Sequence, residues 1–101
     1  MKGGKGLIKE CNDNGKLENE FEYLNGEING KFKRYNDNGE LRFEGEYLNG
    51  KRNGKGKEYF HGNLVFEGEY LNGKRNGKGK EYDYNGKLEF EGEYLNGERV
   101  N

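Results

Sequence analysis

The chain has 101 residues, a formal net charge of −1, 29% hydrophobic residues, 37% charged residues, 19 glycines and no proline. Because an ordinary globular core draws on roughly 45–50% apolar residues, this composition excludes a large closed core, while eight Tyr and six Phe favour a thin folded structure over disorder. No apolar run approaches the roughly 18 residues of a membrane span, and a pI near 5.9 excludes a general nucleic-acid binder.

An internal repeat dominates the sequence. Residues 43–59 read FEGEYLNGKRNGKGKEY, and residues 66–82 repeat this string letter for letter, 23 positions later. A third copy begins at Phe90, and a more diverged copy lies upstream, around Tyr23. The glycines of the YLNG motif recur at 26, 50, 73 and 97, at spacings of 24, 23 and 24 residues. This nearly constant spacing indicates regular strands that are joined by tolerant turns.

Each repeat is predicted to form a β-hairpin. Alternation of charged residues with apolar or small ones predicts strands, in chain order, at residues 31–35, 41–47, 55–59, 64–70, 78–82 and 88–94. Turn dipeptides that tolerate positive φ angles predict the hairpin turns at Asn38-Gly39, Gly62-Asn63 and Asn85-Gly86. Residues 48–54 predict a longer connector that joins one hairpin to the next. No segment shows the 3.6-residue apolar period of a helix.

Stacking of these hairpins predicts an all-β fold, an elongated single-layer antiparallel β-meander. We expect one repeat domain over residues 1–101, part of or close to a longer array, with hairpin repeats at approximately 6–26, 30–50, 54–73 and 77–97. Phe43, Gly45 and Tyr47 are predicted on one face of the sheet, and Glu44 and Glu46 on the other, because successive side chains of a strand point to opposite faces.

The motif resembles the MORN repeat (membrane occupation and recognition nexus), a short β-hairpin repeat. The matching residues are Phe43-Glu44-Gly45-Glu46-Tyr47, Gly50-Lys51 and Gly54-Lys55-Gly56, together with their counterparts in residues 66–79 and 90–97. Tyr stands where the motif usually has Trp. An extra residue before Tyr59 is similar to the bacterial MORN variant, which also occurs in YwqK-type antitoxin-like proteins. The resemblance implies an elongated sheet and a non-enzymatic role in scaffolding, self-association or protein docking.

The aromatic residues of the repeat form the predicted contact surface. A single-layer sheet leaves part of an aromatic row open, and Tyr and Phe are favoured anchors at protein interfaces. The predicted protein-contact residues are Phe43, Tyr47, Phe66, Tyr70, Phe90 and Tyr94, and Tyr59 and Tyr82 are assigned to the same row. We expect a protein partner or a second copy of the chain, bound through this face or through exposed end strands.

Two alternative functions stay open at this point. The antitoxin-like resemblance implies a protein that neutralises a toxin. Basic residues of the repeat could instead contact anionic phospholipid headgroups at a membrane surface, and the candidates are Lys51, Arg52, Lys74 and Arg75. Acidic residues in similar number and a net charge of −1 oppose membrane binding, so protein docking is the preferred hypothesis.

The sequence contains few residues in arrangements that are suited to catalysis. His61 stands alone beside a predicted turn, and Cys11 is equivalent to Tyr59 of a later repeat, which favours structural roles. Residues 50–56 lack the Gly-Lys-Ser/Thr ending of a phosphate-binding loop, and the recurring pair Glu44 and Glu46 is typical of a solvated sheet face. We expect no enzyme activity, catalytic residue, metal, cofactor, small-molecule substrate or nucleic acid. A cytoplasmic location is expected because no signal peptide or membrane span is evident.

Overall fold

The computed structural model describes residues 4–100, which form one open antiparallel sheet of nine strands in sequence order. The strands are β1 (Lys5–Cys11), β2 (Leu17–Leu24), β3 (Glu27–Tyr35), β4 (Leu41–Leu48), β5 (Lys51–Phe60), β6 (Asn63–Leu71), β7 (Lys74–Tyr82), β8 (Leu88–Leu95) and β9 (Glu98–Val100). The molecule measures 45 × 29 × 14 Å, so the sheet is elongated and one layer thick. The predicted all-β meander is confirmed.

Tight Asn-Gly turns connect one repeat to the next. Asn49 and Gly50 have φ angles of 50° and 83°, the left-handed values that a two-residue type I′ turn requires. The same pair of positive angles recurs at Asn25-Gly26, Asn72-Gly73 and Asn96-Gly97. The predicted connector at residues 48–54 is therefore wrong, because β5 already begins at Lys51.

The second Asn-Gly step of each repeat lies inside a strand. Gly54 has a φ angle of 98° and lies where the β4–β5 register shifts between Gly45 and Tyr47. This irregularity is a β-bulge, for which glycine is suited because it adopts positive φ at little cost. Both Asn-Gly steps can adopt turn angles, so composition alone did not distinguish the turn from the bulge.

The opposite ends of the strands carry turns of two lengths. In the longer kind, the Asn36 side chain accepts a hydrogen bond from the main-chain N–H of Glu40 at 3.0 Å, as Asp83 does from Lys87 at 2.9 Å. The shorter kind is His61-Gly62, in which both residues have positive φ; the predicted turn at Gly62-Asn63 is therefore one residue too late, because Asn63 already begins β6. This two-residue turn accounts for the single 23-residue spacing, and it makes His61 a turn residue.

The core lies on one side of the sheet, which we call the aromatic face. Its buried side chains come from strands β2, β3, β4, β6 and β8 and are Phe21, Phe32, Phe43, Phe66, Tyr70 and Tyr94. A row of paired glycines crosses the sheet beneath these rings, at positions 45, 56, 68, 79 and 92. A Cβ atom at Gly56 would lie 2.8 Å from Cε1 of Tyr70, so the rings occupy the space that side chains would need. Phe32 continues the row, opposite Gly45.

Candidate functional site

The aromatic face is closed by its own side chains. The Phe66 ring packs edge-on against Tyr70 and Tyr94, with centroids 5.8 and 5.3 Å away, and the Arg75 guanidinium lies 3.9 Å above it. Arg52 stacks on Phe43 at the same distance. A guanidinium over an aromatic ring is a favourable cation–π contact that also shields the ring from water.

This closure changes the interpretation of the six predicted protein-contact residues. Phe43, Phe66, Tyr70 and Tyr94 are at most 5% exposed, so they form the core and present almost no surface to a partner. The other two, Tyr47 and Phe90, are partly buried against the same cluster. The missing signal was the arginine that follows the YLNG turn in the last three copies of the repeat. It lies directly across the strand pair from a tyrosine, as Arg52 does from Tyr47, Arg75 from Tyr70 and Arg99 from Tyr94.

The four predicted lipid-contact residues are divided between the two faces. Arg75 stacks on the aromatic face and donates hydrogen bonds from Nε and Nη2 to Glu58, both at 3.1 Å. Arg52 also lies over this face. Lys51 and Lys74 are exposed beside the turns. Each precedes its arginine by one position, so strand alternation directs it to the opposite face. The four side chains therefore do not form one continuous basic surface.

Carboxylates on the aromatic face hold the arginines in place. Burial raises the pKa of Glu58, but hydrogen bonds from Arg75 and Tyr70 outweigh this effect, so that its net pKa is lowered. Hydrogen bonds from Arg99 lower the pKa of Glu81 to about 2, although partial burial opposes them. Burial, together with the hydrogen bond that it donates to Glu81, raises the pKa of Tyr94 to about 12.

Acid is expected to weaken the fold through Glu81. Because its folded pKa of about 2 lies below the ordinary value of 4.5, its stabilisation is present above pH 4.5 and is lost as the pH falls towards 2. We expect Glu81→Gln to lower the urea midpoint at neutral pH and to lose less stability over this acid window than the wild type. The matched control is Glu89→Gln, an exposed carboxylate on β8. Equal acid losses for Glu81→Gln and the wild type would contradict the assignment.

The other side of the sheet, which we call the charged face, carries a groove. Strands β3, β5 and β7 each contribute two lysines and β4, β6 and β8 each contribute two glutamates, which are Lys31, Lys33, Glu44, Glu46, Lys55, Lys57, Glu67, Glu69, Lys78, Lys80, Glu91 and Glu93. Between each pair lies a central residue, Phe32 or one of the paired glycines, whose backbone forms the floor. The groove crosses the strands along the sheet, is open to solvent and has a volume of about 900 Å³.

Opposite charges alternate along both walls of this groove. Lys57 lies opposite Glu44 on β4 and opposite Glu67 on β6, and Lys80 lies between Glu67 and Glu91 in the same row. Directly opposed pairs of opposite charge contribute roughly 0.2–1 kcal/mol each to a sheet. The alternation explains how so many charges coexist on one face.

Three of the six groove glutamates, Glu44, Glu46 and Glu69, accept hydrogen bonds from neighbouring strands. Glu46 accepts a hydrogen bond from the main-chain N–H of Lys55 at 3.0 Å, and Glu69 accepts one from Lys78 at 2.8 Å. Glu44 accepts one from the Tyr59 hydroxyl at 2.8 Å. Among residues 4–100, the ammonium groups of the groove lysines make one ion pair, Lys80 with Glu91 at 4.0 Å. The groove therefore presents lysine donors that are available to a ligand.

Tyr59 and Tyr82 belong to this charged face and not to the aromatic row. Burial and the hydrogen bond to Glu44 raise the pKa of Tyr59 to about 12. Burial and the proximity of Glu67 raise the pKa of Tyr82. The assignment from sequence was wrong because Tyr59 is an odd number of positions from Gly56, and strand alternation places it on the other side.

The remaining candidates lie outside the groove. The His61 ring packs at 4.3 Å from Phe60, and Cys11 is an exposed free thiol at the end of β1. No group of three or more His, Cys, Asp or Glu side chains placed to hold a metal ion occurs among residues 4–100. The same part of the chain contains no helix with the length and hydrophobicity needed to cross a membrane.

Comparison with known families identifies the repeat. The model of the MORN repeat matches residues 43–63 and 66–87, and the model of the MORN repeat variant matches residues 28–49, together more than half of the chain. The chain belongs to the MORN-repeat family. MORN repeats are protein- or membrane-binding modules and generally non-catalytic. No curated protein in the comparison matches this MORN-repeat chain.

Proposed function

We propose that this chain is a non-enzymatic docking module that binds another protein in the groove of the charged face. The observation that carries the proposal is that, within residues 4–100, the ammonium groups of the groove lysines other than Lys80 make no ion pair, whereas Glu46 and Glu69 accept main-chain hydrogen bonds. Charged groups that are left free along a concave surface are suited to recognise a complementary partner. An antitoxin-like role would be one form of this function, with the toxin as the docked protein.

A row of exposed leucines along one rim of the groove supports docking of a protein. Leu24, Leu48, Leu71 and Leu95 each precede an Asn-Gly turn, and their exposure lies between 41% and 59%. Each follows a glutamate of the charged face by two positions, so strand alternation places all four on that face. Lysines beside repeated apolar side chains combine electrostatic steering with burial of apolar area, as protein interfaces do.

Binding through the aromatic face is less well supported. A partner would have to displace Arg75 from Phe66 and from Glu58 before it could reach the ring. Removing a charged partner from a partly buried carboxylate is costly. The edge strands β1 and β9 are a second possible contact, for self-association by strand pairing, but the groove has the more specific chemistry.

The proposal is tested by replacing lysines of the groove wall with glutamine, which removes their positive charge. Lys55→Gln/Lys78→Gln removes one ammonium group from each of two strands, and Lys16→Gln/Lys87→Gln makes the same charge change in exposed turns. We expect the wild type and the turn variant to capture the same proteins from native extracts in similar amounts. The groove variant should capture at least about fivefold less of them. Equal capture by a groove variant with a wild-type circular dichroism spectrum would refute docking in the groove.

A further inference from the structure

We propose that the occupant of the groove is an extended acidic segment in the polyproline II conformation, with Asp or Glu at every third position. This inference rests on the docking function proposed above and specifies the class of its partner. Three properties of the groove lead to it: its width, its repeat distance and the sign of its unpaired charges.

The groove is too narrow to admit a helix to its floor. Its walls rise from the residues on either side of each central position, such as Lys55 and Lys57 around Gly56. Two such positions of a strand are about 6.6 Å apart. An α-helix with its side chains is about 10–12 Å across, whereas an extended backbone is narrow enough to lie between the walls. The occupant that reaches the floor is therefore an extended chain.

The spacing of the lysines selects one extended conformation. Neighbouring strands lie about 4.8 Å apart, and lysine strands alternate with glutamate strands, so lysine pairs recur about every 9.6 Å along the groove. A polyproline II helix has three residues per turn and rises about 3.1 Å per residue, so every third side chain faces the same way at intervals of about 9.3 Å. In a β-strand the same face recurs every second residue, at about 6.8 Å, which does not match.

The sign of the ligand follows from the groups that lack partners. Glu46 and Glu69 already accept main-chain hydrogen bonds, and Glu44 accepts one from Tyr59. Within residues 4–100 the only ion pair of the groove lysines' ammonium groups is the long Lys80–Glu91 contact. An acidic side chain above β5 would lie between two lysines, and the acidic side chain three residues further on would lie between the two lysines of β7. A basic segment would instead meet a row of carboxylates of which Glu44, Glu46 and Glu69 are already hydrogen-bonded.

The probe is a fluorescent peptide of four consecutive Glu-Pro-Pro triplets, since proline favours the polyproline II conformation. We expect saturable binding by fluorescence anisotropy that weakens about five- to tenfold in Lys55→Gln/Lys78→Gln. Binding should change by less than about twofold in Lys16→Gln/Lys87→Gln and should weaken as salt is raised. A Lys-Pro-Pro peptide, and a peptide of the same composition with its glutamates in one block, should bind at least about fivefold less tightly.

Several outcomes would overturn the proposal. They are no saturable binding of the triplet peptide, equal binding of the blocked peptide, and equal loss of binding in the two lysine variants. Retention of the chain on phosphatidylserine vesicles through Lys55 and Lys78, without discrimination between the peptides, would reassign the groove to an anionic membrane surface. If the peptide fails while captured proteins still depend on the groove lysines, only the partner class is refuted. If captured proteins ignore these lysines as well, the docking function fails.

Discussion

Replacing Gly68 by Ala is expected to lower the free energy of unfolding by about 3 kcal/mol. A Cβ atom at this position would lie 2.6 Å from the carbonyl oxygen of Lys78, 2.7 Å from Cα of Gly79 and 2.8 Å from Cζ of Phe66. Two of these contacts are with main-chain atoms of the paired strand, which cannot move aside without disturbing the β6–β7 ladder. The measurement is a urea unfolding curve followed by far-UV circular dichroism.

The matched control for Gly68→Ala is Gly86→Asn. Gly86 lies in a turn with a φ angle of 83°, and a Cβ atom there would have no neighbour within 4 Å. Asn tolerates left-handed backbone angles, so the expected loss is less than about 1 kcal/mol. Similar urea midpoints for the two variants would show that close contact across the glycine row does not limit the stability of the sheet.

Phe66→Ala is expected to have the largest effect of any single side-chain truncation, about 3–5 kcal/mol. Phe66 is 0% exposed, and its removal would leave Tyr70, Tyr94 and Arg75 packed around an empty site. Because a small domain has a total stability of only about 5–15 kcal/mol, much of the protein should unfold in moderate urea. The same unfolding assay measures the loss.

Phe60→Ala is the control for Phe66→Ala, because it deletes the same side chain from an exposed position. Phe60 is 48% exposed beside the His61 turn, and we expect a loss of less than about 1 kcal/mol. The comparison also separates two roles for the aromatic face. A Phe66→Ala variant that kept its stability but lost binding to a captured protein would restore the aromatic row as a contact surface.

The local features of this protein were readable in its sequence. Alternation around Phe43, Glu44 and Gly45 predicted the strands and the side of the sheet to which each points, and the structure agrees. Glycine and asparagine dipeptides indicated the reversals, because few other residues adopt positive φ at low cost. Strand order followed from short connections, which leave consecutive strands little choice but to pair.

The candidate site was harder to predict, since it depends on side-chain contacts between strands, some of which are not adjacent in the sheet. Tyr70 on β6 packs against Phe43 on β4, with ring centroids 5.7 Å apart, and Arg52 on β5 covers the same Phe43 ring. Because of these contacts, most of the aromatic residues that were predicted to contact a partner form the core of the protein instead. The groove depends in turn on which carboxylates find partners within the sheet, as Glu46 does with the N–H of Lys55 beside a bulge.

Repeat length, strand periodicity and turn chemistry thus determined the sheet from the sequence alone, because each acts over a few neighbouring residues. Only the tertiary structure decided which Asn-Gly step reverses the chain, which face is closed by stacked arginines, and which charges stay unpaired. The physical reason is that burial and pairing are properties of neighbours in space. In this sheet the neighbours that matter for Phe66 are Tyr94, two strands away, and Arg75, on the adjacent strand.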